Sequence, residues 1–295
     1  MAAKKRLNTE AQREARKAKA KELQKMIAVQ VEELRSSDRW LSFLESASKS
    51  HSYSVRNLLL ISAQCPHASQ VAGFRKWQDL GRQVRRGEKA IRIFGYATKK
   101  IEAENETDEE EKCRVYYPVL SVFDVSQTDS IEGAEPIPEI APRLTGEDQE
   151  GLYRATADVL TGLGWGVTRE EIPGSTNGFT TTDGSKQIVV EVALAPAQAA
   201  KTVLHEAAHA LLHADEPFSK YVVHRGLKEV EAESVAYVVA GAFGMDTAQY
   251  AIGYVAEGSD FDAKAIEASA KNVVRAAHIL IDALTDVQRP EVVTA

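Results

Sequence analysis

Residues 201–213 read KTVLHEAAHALLH, and this stretch constrains the chain more than any other. Two histidines four residues apart on a helix share a face, with Cβ atoms about 5–6 Å apart, so both imidazoles can reach one metal ion. His205 and His209 have that spacing. Glu206, the residue after the first histidine, then points beside the metal, where a carboxylate can take a proton from bound water. Pro196 suits the first turn of such a helix, and Val203, Leu204, Ala207, Ala208, Leu211 and Leu212 leave it hardly any polar face. The helix must therefore be buried, and a buried histidine pair with a glutamate between them is costly to desolvate unless something coordinates it. Chance alone would place an HExxH pattern in a chain of this composition about 0.01 times. The pattern therefore predicts a Zn2+ site.

A catalytic zinc site takes three protein ligands and keeps one position open. The next helical segment, LKEVEAESVAYVVAGAFG, offers Glu229, Glu231 and Glu233. Glu229, Ala232, Glu233, Ala236 and Ala240 share one face at helical spacing, and that face is small enough to pack closely on the HEAAH helix. Glu229 is read as the third ligand and Glu233 as the acceptor that orients a histidine ring, with Glu233 as ligand the alternative. Glu231 falls off the shared face. His213, at the C-terminal end of its helix, reads as a surface or dipole-satisfying residue, and His224 is left without a role. Upstream, NGFTTTDGSKQIVVEVALAP reads as two strands joined at Asp183-Gly184. Such a strand can hold an extended peptide by edge pairing or simply close the sheet.

With 295 residues, 44% hydrophobic and 27% charged, the chain has the composition of a soluble protein of about two domains. No run approaches the roughly 18 apolar residues of a membrane span, and the N-terminus is charged where a signal peptide needs an apolar stretch. A cytoplasmic protein without membrane partners is expected. Cys65 and Cys113 are too few for a disulfide framework and read as buried small hydrophobes. The net charge of -7 conceals a division: residues 1–100 hold 22 Lys and Arg against 9 Asp and Glu, and the remainder 14 against 34. A basic half in an acidic protein is the footprint expected where phosphates are bound.

Four segments follow from the pattern. Residues 1–36 are a basic helical or partly disordered arm, with an apolar stripe at Leu23, Met26, Ile27, Val31 and Leu34 and none in its first 20 residues. Residues 37–130 form an α+β module. Its helical SDRWLSFLESASKSHSYSVRNLLLISAQ precedes two strands, ending IRIFGYATKK and spanning CRVYYPVLSVFDVSQTD, around a charged hairpin tip IEAENETDEEEK. Residues 131–145, punctuated by Pro136, Pro138 and Pro142, read as a linker. Residues 146–295 form a second α+β domain that becomes mostly helical.

These motifs bring a family into view. HEAAH followed by KEVEAESVAYVVA resembles the ImmA/IrrE and ArdC metallopeptidases, glutamate-type zincins. YSVRNLLLISAQCPHASQVAGFRKWQDLGRQVRRGEKAIRIFGY and VFDVSQT resemble the ArdC-like N-terminal single-stranded-DNA-binding domain, and together the two cover about residues 37–290. The chain departs from the pattern in VFDVSQT, where Asn is common, and in its long basic arm. The resemblance implies an α+β protein of two domains, an N-terminal α+β DNA-binding module and a C-terminal, mostly helical zincin-like metallopeptidase domain with a small β-sheet. It implies zinc-dependent peptide hydrolysis with Glu206 as general base, single-stranded DNA and an unidentified protein or peptide substrate as partners, and an antirestriction or mobile-element setting. The competing reading is a DNA-binding protection protein whose zincin half recognises or supports without turnover.

Single strands are held by cationic grooves with aromatic stacking platforms. Ten of the 20 aromatics lie between Trp40 and Phe123, interleaved with Arg75, Lys76, Arg82, Arg85, Arg86, Lys89 and Arg92, the candidate phosphate contacts. Tyr53, Tyr96 and Tyr116 are candidates for stacking, whereas Phe74, Trp77 and Phe94 fit a core. Gly81 and Gly87 in LGRQVRRGEK predict a tight basic turn.

Overall fold

A computed structural model describes residues 10–50, 52–100, 113–133, 149–214, 225–245 and 263–288. The chain divides into two compact units, Met1–Gln30 with Arg56–Ile137 and Val31–Val55 with Pro138–Ala295. Helix α1, Glu10–Glu33, starts well ahead of its apolar stripe because Ala, Lys, Arg and Glu are strong helix formers even without a face to bury. The stripe itself is packed at Leu23, Ile27, Val31 and Leu34.

Beyond α1, the first unit is built from short elements. After α3, Val55–Gln64, come β1, Val71–Gly73, the six-residue α4, Phe74–Asp79, and β2, Arg82–Val84; β3 is Ile91–Phe94 and β4 Ala97–Lys100. Then follow β5, Cys113–Tyr116, β6, Val119–Asp124, and β7, Thr128–Ser130. The central sheet runs β1-β6-β3, with β2-β7 and β4-β5 as separate antiparallel pairs. The first expected strand is broken at Gly95-Tyr96, and the second at Tyr117-Pro118 and again at the turn Val125–Gln127. Pro118 cannot donate to a ladder, and a Cβ on Gly95 would lie 2.5 Å from Leu120 Cδ1; the Gly95 N–H still reaches Pro118 O at 2.7 Å across the break. Asp124 of VFDVSQT accepts the N–H groups of Ser69, Gln70 and Ser126, while Gln127 returns a bond to the Asp124 N–H. This reciprocal cap ties the β6-β7 corner to the loop before β1. The charged run at 101–112 and residues 134–148, which include most of the expected linker at 131–145, lie outside the described residues.

The second unit contains α2, Ser37–Lys49, α5, Gln149–Gly162, α6, Pro196–Leu212, α7, Arg225–Ala242, and α8, Ala263–Gln288. Ser36 caps α2 by accepting the Arg39 N–H, and Trp40, Phe43, Leu44 and Ala47 bury one face of it. Trp40 donates its indole N–H to Ser234 Oγ on α7 at 3.0 Å, so the helix read from sequence with the N-terminal module has its packing partners here. The sheet runs β8-β10-β9: β8, Gly166–Glu170, is parallel to β10, Gln187–Glu191, and β9, Gly178–Thr180, is antiparallel to it. The turn between β9 and β10 holds Asp183 Oδ1 on the Ser185 N–H and Gly184 at φ 86°. Among the described residues, no helix is long and apolar enough to cross a membrane.

Candidate functional site

Most of helix α6 is buried, with Ala199, Ala200, Val203, Leu204, Ala207 and Ala208 packed against α5, α7 and the sheet. Pro196 at its start needs no N–H partner. One turn apart on this helix, half-buried His205 and buried His209 place their rings 4.8 Å centroid to centroid and their Nε2 atoms 3.1 Å apart. The Ala232, Ala236 and Ala240 face of α7 is fully buried, which lets α7 bring Glu229 alongside. Glu229 Oε2 lies 3.4 Å from His205 Nε2 and 3.7 Å from His209 Nε2. Ligands at about 2.0–2.2 Å from a tetrahedral ion are about 3.3–3.6 Å apart, so the three donor atoms stand like three corners of such a site. Two imidazoles and a carboxylate are thus a donor set that fits a divalent cation, and they are grouped within 4.8 Å.

The charges around this triangle are strongly coupled. Burial alone would lower His205, but the hydrogen bonds it donates to Glu229 and Glu233, with Glu206 nearby, hold it at about 9. The same imidazoles hold the Glu229 carboxyl far below the usual carboxylate range. Burial raises Glu233, yet His205 and Lys201 together draw it below its ordinary value. Glu233 Oε2 sits 3.0 Å from His205 Nδ1, and Lys201 Nζ lies 2.5 Å from Oε1 of the same carboxylate.

Glu206 is 6% exposed and faces a cavity of about 280 Å³ that Gly178, Phe179, Thr180, His205, His209 and Glu229 also line. The Thr180 hydroxyl is 2.8 Å from Glu206 Oε2 and 3.0 Å from Glu206 O. Strand β9 can come so close only because residue 178 is glycine. A Cβ there would meet Thr202 Cγ2 at 2.7 Å and Val189 O at 3.0 Å.

His213 is not the surface residue expected from its place at the helix end. It is 3% exposed, with Nδ1 3.0 Å from His209 Nδ1 and Nε2 3.0 Å from Glu231 Oε2. Burial pushes its imidazole down in pKa while Glu231 opposes the shift. Glu231 leaves the Glu229 face, as its spacing requires, but turns to His213 and accepts the side-chain N–H of Asn272 at 3.1 Å. The i, i+4 spacing of His209 and His213 was the available signal. His224 lies outside the described residues.

In the first unit Arg75, Lys76, Arg86 and Lys89 are exposed. Arg82 is directed onto Thr128 and Ser130, Arg85 onto Glu88, Asp129 and Ser126 O, and Arg92 onto Ser121 Oγ. Gly81 and Gly87 adopt φ of 69° and 93° in the basic turn. Phe74, expected in the core, is 44% exposed at the start of α4 and lines a cavity with Arg85, Arg86 and Phe123. Trp77 is buried and donates to Phe123 O, and Phe94 is half-buried. Tyr96 is 69% exposed and meets Tyr117, which the sequence reading passed over, edge to face at 6.2 Å. Tyr116 is exposed as well. Tyr53 belongs to the second unit and is half-buried, which raises its hydroxyl pKa.

Comparison with known proteins matches residues 16–125 to the family model of the N-terminal domain of the anti-restriction factor ArdC. Residues 163–252 match a peptidase family model described as an IrrE N-terminal-like domain. An uncharacterized protein of Bacillus anthracis is 30% identical over 260 residues, covering 76% of this chain and 43% of that protein; the chain spans less than half the length of this relative. The metal-free crystal structure of the antirestriction ArdC protein from the R388 plasmid aligns over 90% of this chain and 99% of that one, with TM-score 0.53 and 21% identity, a likeness of fold. The Mn(II)-bound structure of the same protein aligns over 82% of this chain and 95% of that one, with TM-score 0.43 and 19% identity.

Proposed function

This chain is an ArdC-like fusion of an ArdC N-terminal domain and an IrrE-like domain, and from that premise we propose that it is a zinc metallopeptidase that binds single-stranded DNA in an antirestriction or other mobile-element setting. The observation that carries the reading is the convergence of His205 Nε2, His209 Nε2 and Glu229 Oε2 beside the buried Glu206 in one cavity. Two imidazoles and one carboxylate form the protein half of catalytic zinc sites, which keep a position open for water or substrate. When bound, zinc lowers the pKa of a water toward about 7 and polarises a carbonyl oxygen.

The remaining work falls to side chains of this chain. Glu206 accepts the proton of the attacking water at its carboxylate and passes it to the nitrogen of the leaving amine. The Thr180 hydroxyl, 2.8 Å from Oε2, holds that carboxylate in place. Glu233 keeps the His205 ring turned by taking its Nδ1–H. Strand β9 is the edge of its sheet and borders the cavity, so an extended protein or peptide segment can pair along Gly178–Thr180. In the ArdC-type domain, exposed Arg75, Lys76, Arg86 and Lys89 are suited to phosphates, and Phe74, Tyr96 and Tyr117 offer ring faces on which bases stack. The cytoplasm, where incoming DNA is met, is the setting this proposal gives the protein.

Glu206→Gln tests it. The substitution keeps size and hydrogen bonding while removing the base, so zinc content and DNA binding should persist while cleavage of proteins that meet the same DNA falls by about 10² to 10⁴. The readout is mass spectrometry of peptide products with DNA present, with and without a chelator. Identical peptide patterns from wild type and variant would favour a binding module without turnover.

A further inference from the structure

Resting on the cation site proposed above, we infer that Asn272, Glu231 and His213 form a buried relay that fixes the tautomer of His209, which makes His213 a positioning residue for the site. Two imidazole Nδ1 atoms 3.0 Å apart, on His209 and His213, must share one proton, with one nitrogen donating and the other accepting. The pair alone does not decide which. Glu231 decides, because a carboxylate only accepts: its Oε2, 3.0 Å from His213 Nε2, requires the His213 proton there. His213 Nδ1 then carries a lone pair and His209 Nδ1 the proton. That leaves the lone pair of His209 on Nε2, the atom facing His205 and Glu229. Asn272 Nδ2 donates to Glu231 Oε1 at 3.1 Å, which fixes the far end.

The two ligand histidines are thus set by different routes. His205 gives its Nδ1–H directly to Glu233, whereas His209 is set through an intervening imidazole. Both His213 and Glu231 are at least 95% buried, so an unmet hydrogen bond at either is costly.

The logic can be inverted atom by atom. In Glu231→Gln, Asn272 Nδ2 continues to claim the side-chain oxygen, so the new amide nitrogen faces His213 Nε2. His213 must then accept at Nε2 and carry its proton on Nδ1, which pushes the His209 proton onto Nε2, the ligand atom. Adding Asn272→Asp provides an acceptor for that new amide nitrogen, turns the amide oxygen back to His213 and restores the original order.

Nitrogen-15 spectra of the histidine rings in cation-free full-length protein read the tautomers directly, and competition with a chromogenic chelator reads zinc affinity. Wild type should show protons on His209 Nδ1 and His213 Nε2. Glu231→Gln should move both and weaken zinc by about 10 to 100-fold, the usual cost of losing an outer hydrogen-bond partner, and the double variant should recover both. A wild-type His209 protonated on Nε2, or a Glu231→Gln protein with unchanged tautomers and affinity, overturns the relay. If Glu231→Gln does not fold, the wild-type spectra decide alone. Failure of the zinc reading is a separate result: wild type and His209→Ala would compete equally poorly for zinc, while the spectra would still report on the relay.

Discussion

Gly178→Ala probes the close seat of β9 on α6. The added Cβ would lie 2.7 Å from Thr202 Cγ2, 3.0 Å from Val189 O and 3.4 Å from Glu206 Cγ. Val189 O belongs to the neighbouring strand backbone and cannot withdraw, and Thr202 is 5% exposed on a fully packed helix, with a branched side chain restricted in χ1. The strain therefore goes into lifting β9 off α6, at about 1–3 kcal/mol, the usual cost of overfilling a packed site. For a domain of this size that corresponds to a fall in Tm of about 2–4 °C per kcal/mol. Thr202→Ser removes the offending methyl and keeps the hydroxyl, so it should cost about 1 kcal/mol alone yet relieve the clash in the double variant. Thermal and urea melts of the four proteins give the coupling energy, which should favour the double variant by about 1 kcal/mol or more. Costs that simply add, within about 0.5 kcal/mol, would refute the steric account.

Three further outcomes are expected. Purified protein should carry about one zinc per chain by elemental analysis, lost in His205→Ala and His209→Ala, and Glu229→Gln should weaken binding more than Glu233→Gln; the reverse order moves the ligand to Glu233. The full chain should prefer single-stranded to duplex DNA, with affinity falling as salt rises, and Arg86→Ala with Lys89→Ala should flatten that slope by about 0.7 for each phosphate no longer neutralised. Arg85→Ala should change the slope less, since its guanidinium is already paired with the Glu88 and Asp129 carboxylates; equal duplex affinity would contradict the assignment. His205, raised from 6.5 to about 9 in the cation-free protein, stabilises the fold fully below about pH 6.5 and ceases to do so as pH rises through about 9. Melts across that window should therefore show stability declining without zinc and rising with it, because the ion must displace the same proton; a parallel decline in both would count against His205 as a ligand.

The proximity of His205, His209 and Glu229 was legible because it rests on two local regularities, the four-residue repeat of α6 and the alanine face of α7. The antiparallel pair around Asp183-Gly184 was equally readable, since turn chemistry is local. What escaped depends on partners far along the chain. His213 looks exposed at a helix end until α7 supplies Glu231 and α8 supplies Asn272, which is 41 residues beyond Glu231. β8 is short and was missed because its pairing with β10 comes from the sheet rather than from its own pattern. Phe74 was given to the core by its residue type, yet its position at the first turn of a six-residue helix leaves the ring half outside.

The bond from Trp40 to Ser234 spans 194 residues, and it sets an order of events on the ribosome. At about 5–20 residues per second, the indole of α2 is made about 10–40 s before the hydroxyl it will meet. During that interval residues 56–137, which belong to the other unit, are synthesised in full and can form their own sheet. The apolar face of Trp40, Phe43 and Leu44 meanwhile has no α7 to cover it. Nascent chains stalled before residue 225 should consequently bind holdase chaperones through this face, and release should follow once α7 emerges.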